Sequence, residues 1–218
     1  MGQLTRFDLD NLVERFGICN YLETGTGLGV SLEYALKSRS ITNFFSIEID
    51  EKLAKSPDLH RRVERAKIAE QNVRIINSDS LSALKVILNG VLDTRPTLFF
   101  LDAHFPGADF FQLSYGDSVD RNSIYSLPVI LELAAISIAR NGAKNDIIII
   151  DDLFLFDSGE FAFDREHPDK AEAVRQVLRQ RDMYLGGSFS TVLKLIFGPS
   201  RATRRFYEHQ GYIMILPV

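Results

Sequence analysis

Acidic and small polar residues close each of the apolar runs of this chain, and their types suggest ligand chemistry. The first run ends in Glu23-Thr24-Gly25-Thr26-Gly27-Leu28-Gly29. Glycines let the backbone turn sharply and approach a ligand, and the helix that follows offers N–H groups without partners in its own first turn. The second run ends in Ser46-Ile47-Glu48. That puts a carboxylate about 20 residues past the glycine turn, where it can bind both hydroxyls of a ribose. The third ends in Asn77-Ser78-Asp79-Ser80, a polar set able to hydrogen-bond an adenine edge. Asp102-Ala103-His104 follows the fourth run and Asp151-Asp152 the fifth.

Neighbouring parallel strands present their carboxyl ends about 5 Å apart. Three carboxylates and an imidazole are therefore expected to converge at the fourth and fifth strand ends. Packed carboxylates repel and raise each other's pKa, and a hard divalent cation such as Mg²⁺ relieves that repulsion. Plainer roles stand beside these. Acids favour helix N-termini for dipole reasons, Asp102 can cap a segment or meet a cofactor amine, and paired aspartates can bind backbone amides.

The elements that must position these residues follow from hydrophobic period. Leu9, Leu12, Val13 and Phe16 recur at helical spacing, with Gly17 as a C-cap. Asn20–Glu23, Phe44–Ile49, Val73–Ile76, Thr97–Leu101 and Asp146–Ile150 read as strands. Helical faces lie between them, on Leu32/Ala35/Leu36, from Ser56-Pro57-Asp58 onward, on Leu81/Leu84/Ile87/Leu88 and around Leu127–Ile138. A further helix opens at Pro168 and carries Val174, Val177 and Leu178. Thr191–Phe197 and Tyr212–Leu216 read as a closing strand pair.

Strand–helix alternation followed by two strands implies an α/β, doubly wound, mostly parallel sheet with a late antiparallel strand. One domain over residues 1–218 is expected, with a lid-like insertion at about 103–125. That insertion is rich in Gly, Asp and aromatics: Phe105, Phe110, Phe111 and Tyr115, with Pro106, Gly107 and Gly116. It could close over a substrate or pack on another subunit, giving a homo-oligomer. Asp109, Asp117 and Asp120 disfavour an anionic substrate.

Composition narrows the classes. The chain has 218 residues, 45% hydrophobic, with a formal net charge of -4 and 16 Phe. Disorder is excluded by the apolar content, and a bulk nucleic-acid binder by the missing basic field. Arg201, Arg204 and Arg205 are expected to form a solvated turn, and His60, His167 and His209 to be surface residues. The single Cys19 cannot form an internal disulfide, so a reducing, cytoplasmic location is expected. No apolar signal core or run of about 18 apolar residues occurs, so neither secretion nor a membrane partner is expected.

With these motifs in place, the sequence resembles the class I S-adenosylmethionine (SAM)-dependent methyltransferases from Asn20 to the terminal strands. Their acidic residue followed by G-x-G-x-G is matched by Glu23, Gly25, Gly27 and Gly29, with Thr26 between. The resemblance implies a seven-stranded Rossmann-like sheet. It implies that Glu23, the glycine turn, Glu48, Asp79, Ser80 and Asp102 bind the cofactor. The acidic strand ends are similar to those of the metal-dependent O-methyltransferases acting on macrolide and aminocoumarin sugars. That similarity implies a metal on Asp102, Asp151 and Asp152, two substrate hydroxyls bound to it, and His104 as base beside Asp102. The activity implied is O-methylation of a small molecule. Two other readings remain: a non-catalytic cofactor-binding module, and a nicotinamide oxidoreductase, whose fingerprint would need glycine where Val30 stands.

Overall fold

A computed structural model of the chain describes residues 3–106, 114, 116–118 and 126–218. Seven strands form one sheet: β1 (Asn20–Thr24), β2 (Asn43–Glu48), β3 (Asn72–Asn77), β4 (Thr97–Leu101), β5 (Ile147–Ile150), β6 (Thr203–Phe206) and β7 (Tyr212–Ile215). Their order is β3-β2-β1-β4-β5-β7-β6, and β7 runs opposite to the other six, antiparallel to both β5 and β6. This is the doubly wound sheet expected, with its late antiparallel strand.

The central strands alternate side chains between two cores. Leu22, Phe45, Phe99, Leu101, Ile148 and Ile150 pack on one face. Tyr21, Phe44, Leu98, Phe100, Ile147 and Ile149 pack on the other. Period-2 alternation with both faces apolar produces the unbroken hydrophobic runs of a sheet covered on each side.

The covering helices are α1 (Leu9–Phe16), α2 (Val30–Ala35), α3 (Glu51–Ala54), α4 (Pro57–Ala66), α5 (Ser80–Val86), α6 (Val129–Ala139), α7 (Ala162–Glu166), α8 (Pro168–Gln180) and α9 (Phe189–Phe197). Gly17 ends α1 in the left-handed conformation, φ 62°, as its position after Phe16 predicts.

The C-terminal third corrects two expectations. Thr191–Phe197 belongs to helix α9. Phe189 and Leu193 are buried, and Ile196 and Phe197 pack against the core, so the helical spacing outweighs the apparent strand pattern. The edge strand is β6, whose Arg204 and Arg205 gave no apolar signal. Charged edge strands resist pairing with other chains. Arg204 is exposed, but Arg201 is buried and donates from Nη2 to the Asp146 carbonyl at 2.7 Å. Arg205 donates from Nε to Asp157 Oδ2 at 2.8 Å. The three arginines are not one solvated turn. His60, His167 and His209 are exposed as expected.

Much of the expected insertion, including Gly107, Asp109, Phe110, Phe111, Tyr115 and Asp120, lies outside the described residues. Its two ends are joined. Phe105 is buried in the core rather than presented as a lid side chain, and its N–H donates to the Ser126 carbonyl at 2.7 Å. The Ser118 hydroxyl donates to the Pro106 carbonyl at 3.0 Å.

Candidate functional site

The carboxyl ends of the parallel strands surround a cleft of about 1170 Å³, open mouth included. Five segments line it: Gly25–Leu28 after β1, Glu48–Asp50 after β2, Ser78–Ser80 after β3, Asp102–Pro106 after β4, and Asp152 after β5. This is where an open α/β sheet binds its ligands.

The glycine turn is built by two close approaches. Gly25 has φ +79°, and a Cβ there would sit 2.4 Å from the Asp102 carbonyl oxygen. The turn is tied to β2 by Gly25 N–H donating to the Ile47 carbonyl at 2.9 Å, and β4 returns to β1 through Asp102 N–H and the Thr24 carbonyl at 3.0 Å. Gly29, φ +75°, caps α2, and a Cβ there would meet Leu59 Cδ1 at 2.3 Å. Only glycine fits either position without displacing a neighbour.

Beneath the turn runs a buried hydrogen-bond chain. The Tyr21 hydroxyl donates to Glu23 Oε2 at 2.5 Å, the Ser46 hydroxyl to Glu23 Oε1 at 2.5 Å, and the Ser46 and Thr26 hydroxyls are 2.6 Å apart. The parallel register sets Ser46 beside Glu23. Burial pushes the Glu23 carboxyl up to about 7 against the lowering effect of these two hydroxyls. Glu23 is therefore engaged inward and does not line the cleft.

Glu48 does line it. Its Oε2 accepts the Gly27 N–H at 2.8 Å and its Oε1 the Asp50 N–H at 2.9 Å. Burial raises its pKa while both amides hold it down. Each carboxylate oxygen keeps a second lone-pair direction for a ligand hydroxyl. Asp79 caps α5 by accepting the Ser82 N–H at 2.8 Å, so the dipole role is real. It lines the cleft with Ser78 and Ser80 as well.

At the β4 and β5 ends the expected carboxylates do not meet at a common point. His104 lies among them: Nε2 is 2.9 Å from Asp152 Oδ2, and Nδ1 is 3.5 Å from Asp102 Oδ1. Asp152, at φ 50°, faces the cleft, whereas Asp151 does not line it. Asp151 Oδ1 instead accepts the Asp152 N–H at 2.7 Å, and its Oδ2 has no hydrogen-bond partner. Burial, reinforced by Asp152, pushes Asp151 up to about 8. Among the described residues, no three His, Cys, Asp or Glu side chains are arranged to hold a metal. Among the described residues, the His104 ring lies between the Asp102 and Asp152 carboxylates that the sequence assigns to a metal.

Sequence reasoning missed several residues. Gln3, from the N-terminal segment, and Gln210, between β6 and β7, close the cleft. Glu132 is fully buried on the apolar helix α6, and its oxygens make no hydrogen bond of ordinary geometry. Burial pushes it up to about 7, only partly offset by the Ser80 and Thr24 hydroxyls and by His104. A carboxylate within VILELAAISIA carries no sequence signal beyond its breaking an apolar run.

No family profile and no curated protein sequence matches the chain. Solved structures do. A Staphylococcus aureus protein assigned as a caffeoyl-CoA O-methyltransferase superimposes with TM-score 0.56 and 17% identity, over 100% of this chain and 85% of that one. A Podospora anserina methyltransferase bound to S-adenosylhomocysteine (SAH) gives 0.54 and 18%, over 95% and 75%. The O-methyltransferase TomG from Streptomyces achromogenes, in complex with SAM, gives 0.53 and 16%, over 96% and 78%. At this identity the likeness is one of fold: the chain has the Rossmann-like methyltransferase fold.

Proposed function

We propose that this protein is an enzyme that transfers a methyl group from SAM to a hydroxyl of a small-molecule acceptor. The observation that carries the reading is Glu48: a buried carboxylate at the β2 end, locked to the Gly27 amide and facing the same cleft as Asp79 and Ser80. On this fold, such a carboxylate suits the two ribose hydroxyls of the donor. Ser78, Asp79 and Ser80 supply partners for the adenine edge. The backbone at Gly25 and Gly27 would meet the donor's amino-acid portion, and Asp102, which lines the same cleft, would take its amine. Glu23 would act on this site through Ser46 and Thr26, by fixing the turn.

Methyl transfer needs alignment and removal of one proton. Well-oriented reactants gain up to about 7–11 kcal/mol over free encounter. Asp152 holds the Nε2 edge of His104, directing Nδ1 toward the Asp102 side of the cleft. His104 takes the acceptor's O–H proton at Nδ1 as the oxygen lone pair bonds to the methyl carbon. When bound, the donor would supply an electrophilic methyl group whose transfer to that oxygen leaves a methyl ether and SAH, and His104 would pass the proton on to solvent. Metal assistance finds no support in the donor set, because the carboxylates face His104 rather than a shared point.

The test is isothermal calorimetry with SAH and, separately, NAD, followed by radiolabelled methyl transfer to a panel of phenols, catechols and sugar hydroxyls. Binding of SAH with methylation of at least one class supports the proposal. Tight NAD binding, or no response to SAH, would reject it.

A further inference from the structure

Among the described residues, four buried or nearly buried acids stand around one imidazole. The His104 side chain is 8% exposed, Asp152 5% and Asp102 16%, so water screens their charges poorly. Asp151 and Glu132 stand further back, and both feel the ring: His104 is among the influences that lower their otherwise raised pKa values. Arg6, of the N-terminal segment, lowers Asp151 as well. Any charge the cluster carries needs a partner, because a buried ion left unpaired costs several kcal/mol. It would attract a cation with oxygen ligands. Two cluster oxygens, Asp151 Oδ2 and Asp152 Oδ1, are buried without a hydrogen-bond partner, which adds to that demand.

We propose that the His104 ring, seated between Asp102 and Asp152 at the β4 and β5 ends, occupies the space a divalent cation would need and closes the site to metal. A metal would hold the acceptor hydroxyl and draw off its proton's charge. Mg²⁺ demands near-octahedral oxygens at about 2.0–2.1 Å, and carboxylates aimed at ring nitrogens cannot supply them without expelling the ring.

This inference rests on the proposed methyl transfer, and its test is separable from it. Full-length parent, His104→Gly and His104→Gln proteins are stripped with chelator. Each is titrated with Mg²⁺ and Mn²⁺ by calorimetry and followed by thermal unfolding, with SAH affinity measured in parallel. The parent should bind neither metal, and its melting temperature should not move. His104→Gly, with the ring gone, should bind Mn²⁺ saturably and gain about 5–10 °C at a hundredfold excess over Kd. His104→Gln refills the space and should show no gain. Saturable metal binding by the parent would overturn the proposal, as would a glycine variant indifferent to both metals. If the glycine variant does not fold, the parent titration decides alone. Loss of SAH binding in the parent would instead reject the methyltransferase reading and leave the metal result interpretable.

Discussion

Replacing Gly25 by alanine tests the junction on which the cleft depends. The added Cβ would lie 2.4 Å from the Asp102 carbonyl oxygen and 2.7 Å from its carbon, both backbone atoms that cannot swing aside. Optimal carbon contacts lie near 3.5–4.0 Å, so β1 and β4 must part by about 1 Å. Overpacking of this kind costs about 1–3 kcal/mol, and the left-handed φ of +79° adds about 1–2 kcal/mol for alanine. The expected loss, about 2–5 kcal/mol, is a large share of a typical 5–15 kcal/mol stability. Gly17 supplies the control: its φ is +62°, and nothing lies within 4 Å of an added Cβ. Gly17→Ala carries the strain alone, about 1–2 kcal/mol. Urea unfolding of both variants isolates the contact, and SAH calorimetry should show at least tenfold weaker binding for Gly25→Ala only. Equal stability losses and equal SAH affinities would refute the close approach of β1 and β4.

Three further outcomes are expected. Glu132 keeps its proton up to about 7 in the folded chain but releases it near 4.3 when unfolded. Its contribution to stability is therefore lost as pH rises between those values. Glu132→Gln should gain stability relative to the parent from pH 5 to pH 8 in urea titrations, and parallel curves would contradict this. Arg140 pairs with Asp146 in a nearly buried two-point contact, Nη2 to Oδ1 at 2.8 Å and Nε to Oδ2 at 3.1 Å. Arg140→Ala should cost about 3–5 kcal/mol in the same assay by leaving the buried Asp146 with its Thr97 N–H bond but without its cation; a cost under 1 kcal/mol would not fit. Finally, His104→Ala should lower kcat about 10²–10⁴-fold while SAH affinity stays within a few fold; an unchanged kcat would remove His104 from the reaction.

The residues at strand ends were legible because a parallel sheet places whatever follows each apolar run at one edge. Glu48, Asp79, Asp102 and His104 all reach the cleft for that reason. Which member of Asp151-Asp152 faces it was not legible, since the choice depends on the left-handed backbone of Asp152. The motif acid Glu23 reads in sequence as a ligand contact, yet its strand register directs it to Ser46 and Tyr21. Thr191–Phe197 carries enough β-branched and apolar residues for either period, and only its packing against the core decides for helix. β6 was invisible because an edge strand with two arginines lacks an apolar face. Gln3, Gln210 and Glu132 come to the site by tertiary folding alone.

The central claim is that the cleft beside Glu48 binds the methyl donor, and calorimetry of SAH against the parent and Glu48→Ala tests it most directly. The account predicts one SAH bound per chain by the parent. It also predicts an affinity lower by about 1–3 kcal/mol in the variant, roughly 5- to 150-fold, from loss of charge-assisted ribose contacts and of the acceptor for the Gly27 amide. A parent that takes up no SAH, or a Glu48→Ala protein that binds it as tightly as the parent, would contradict it.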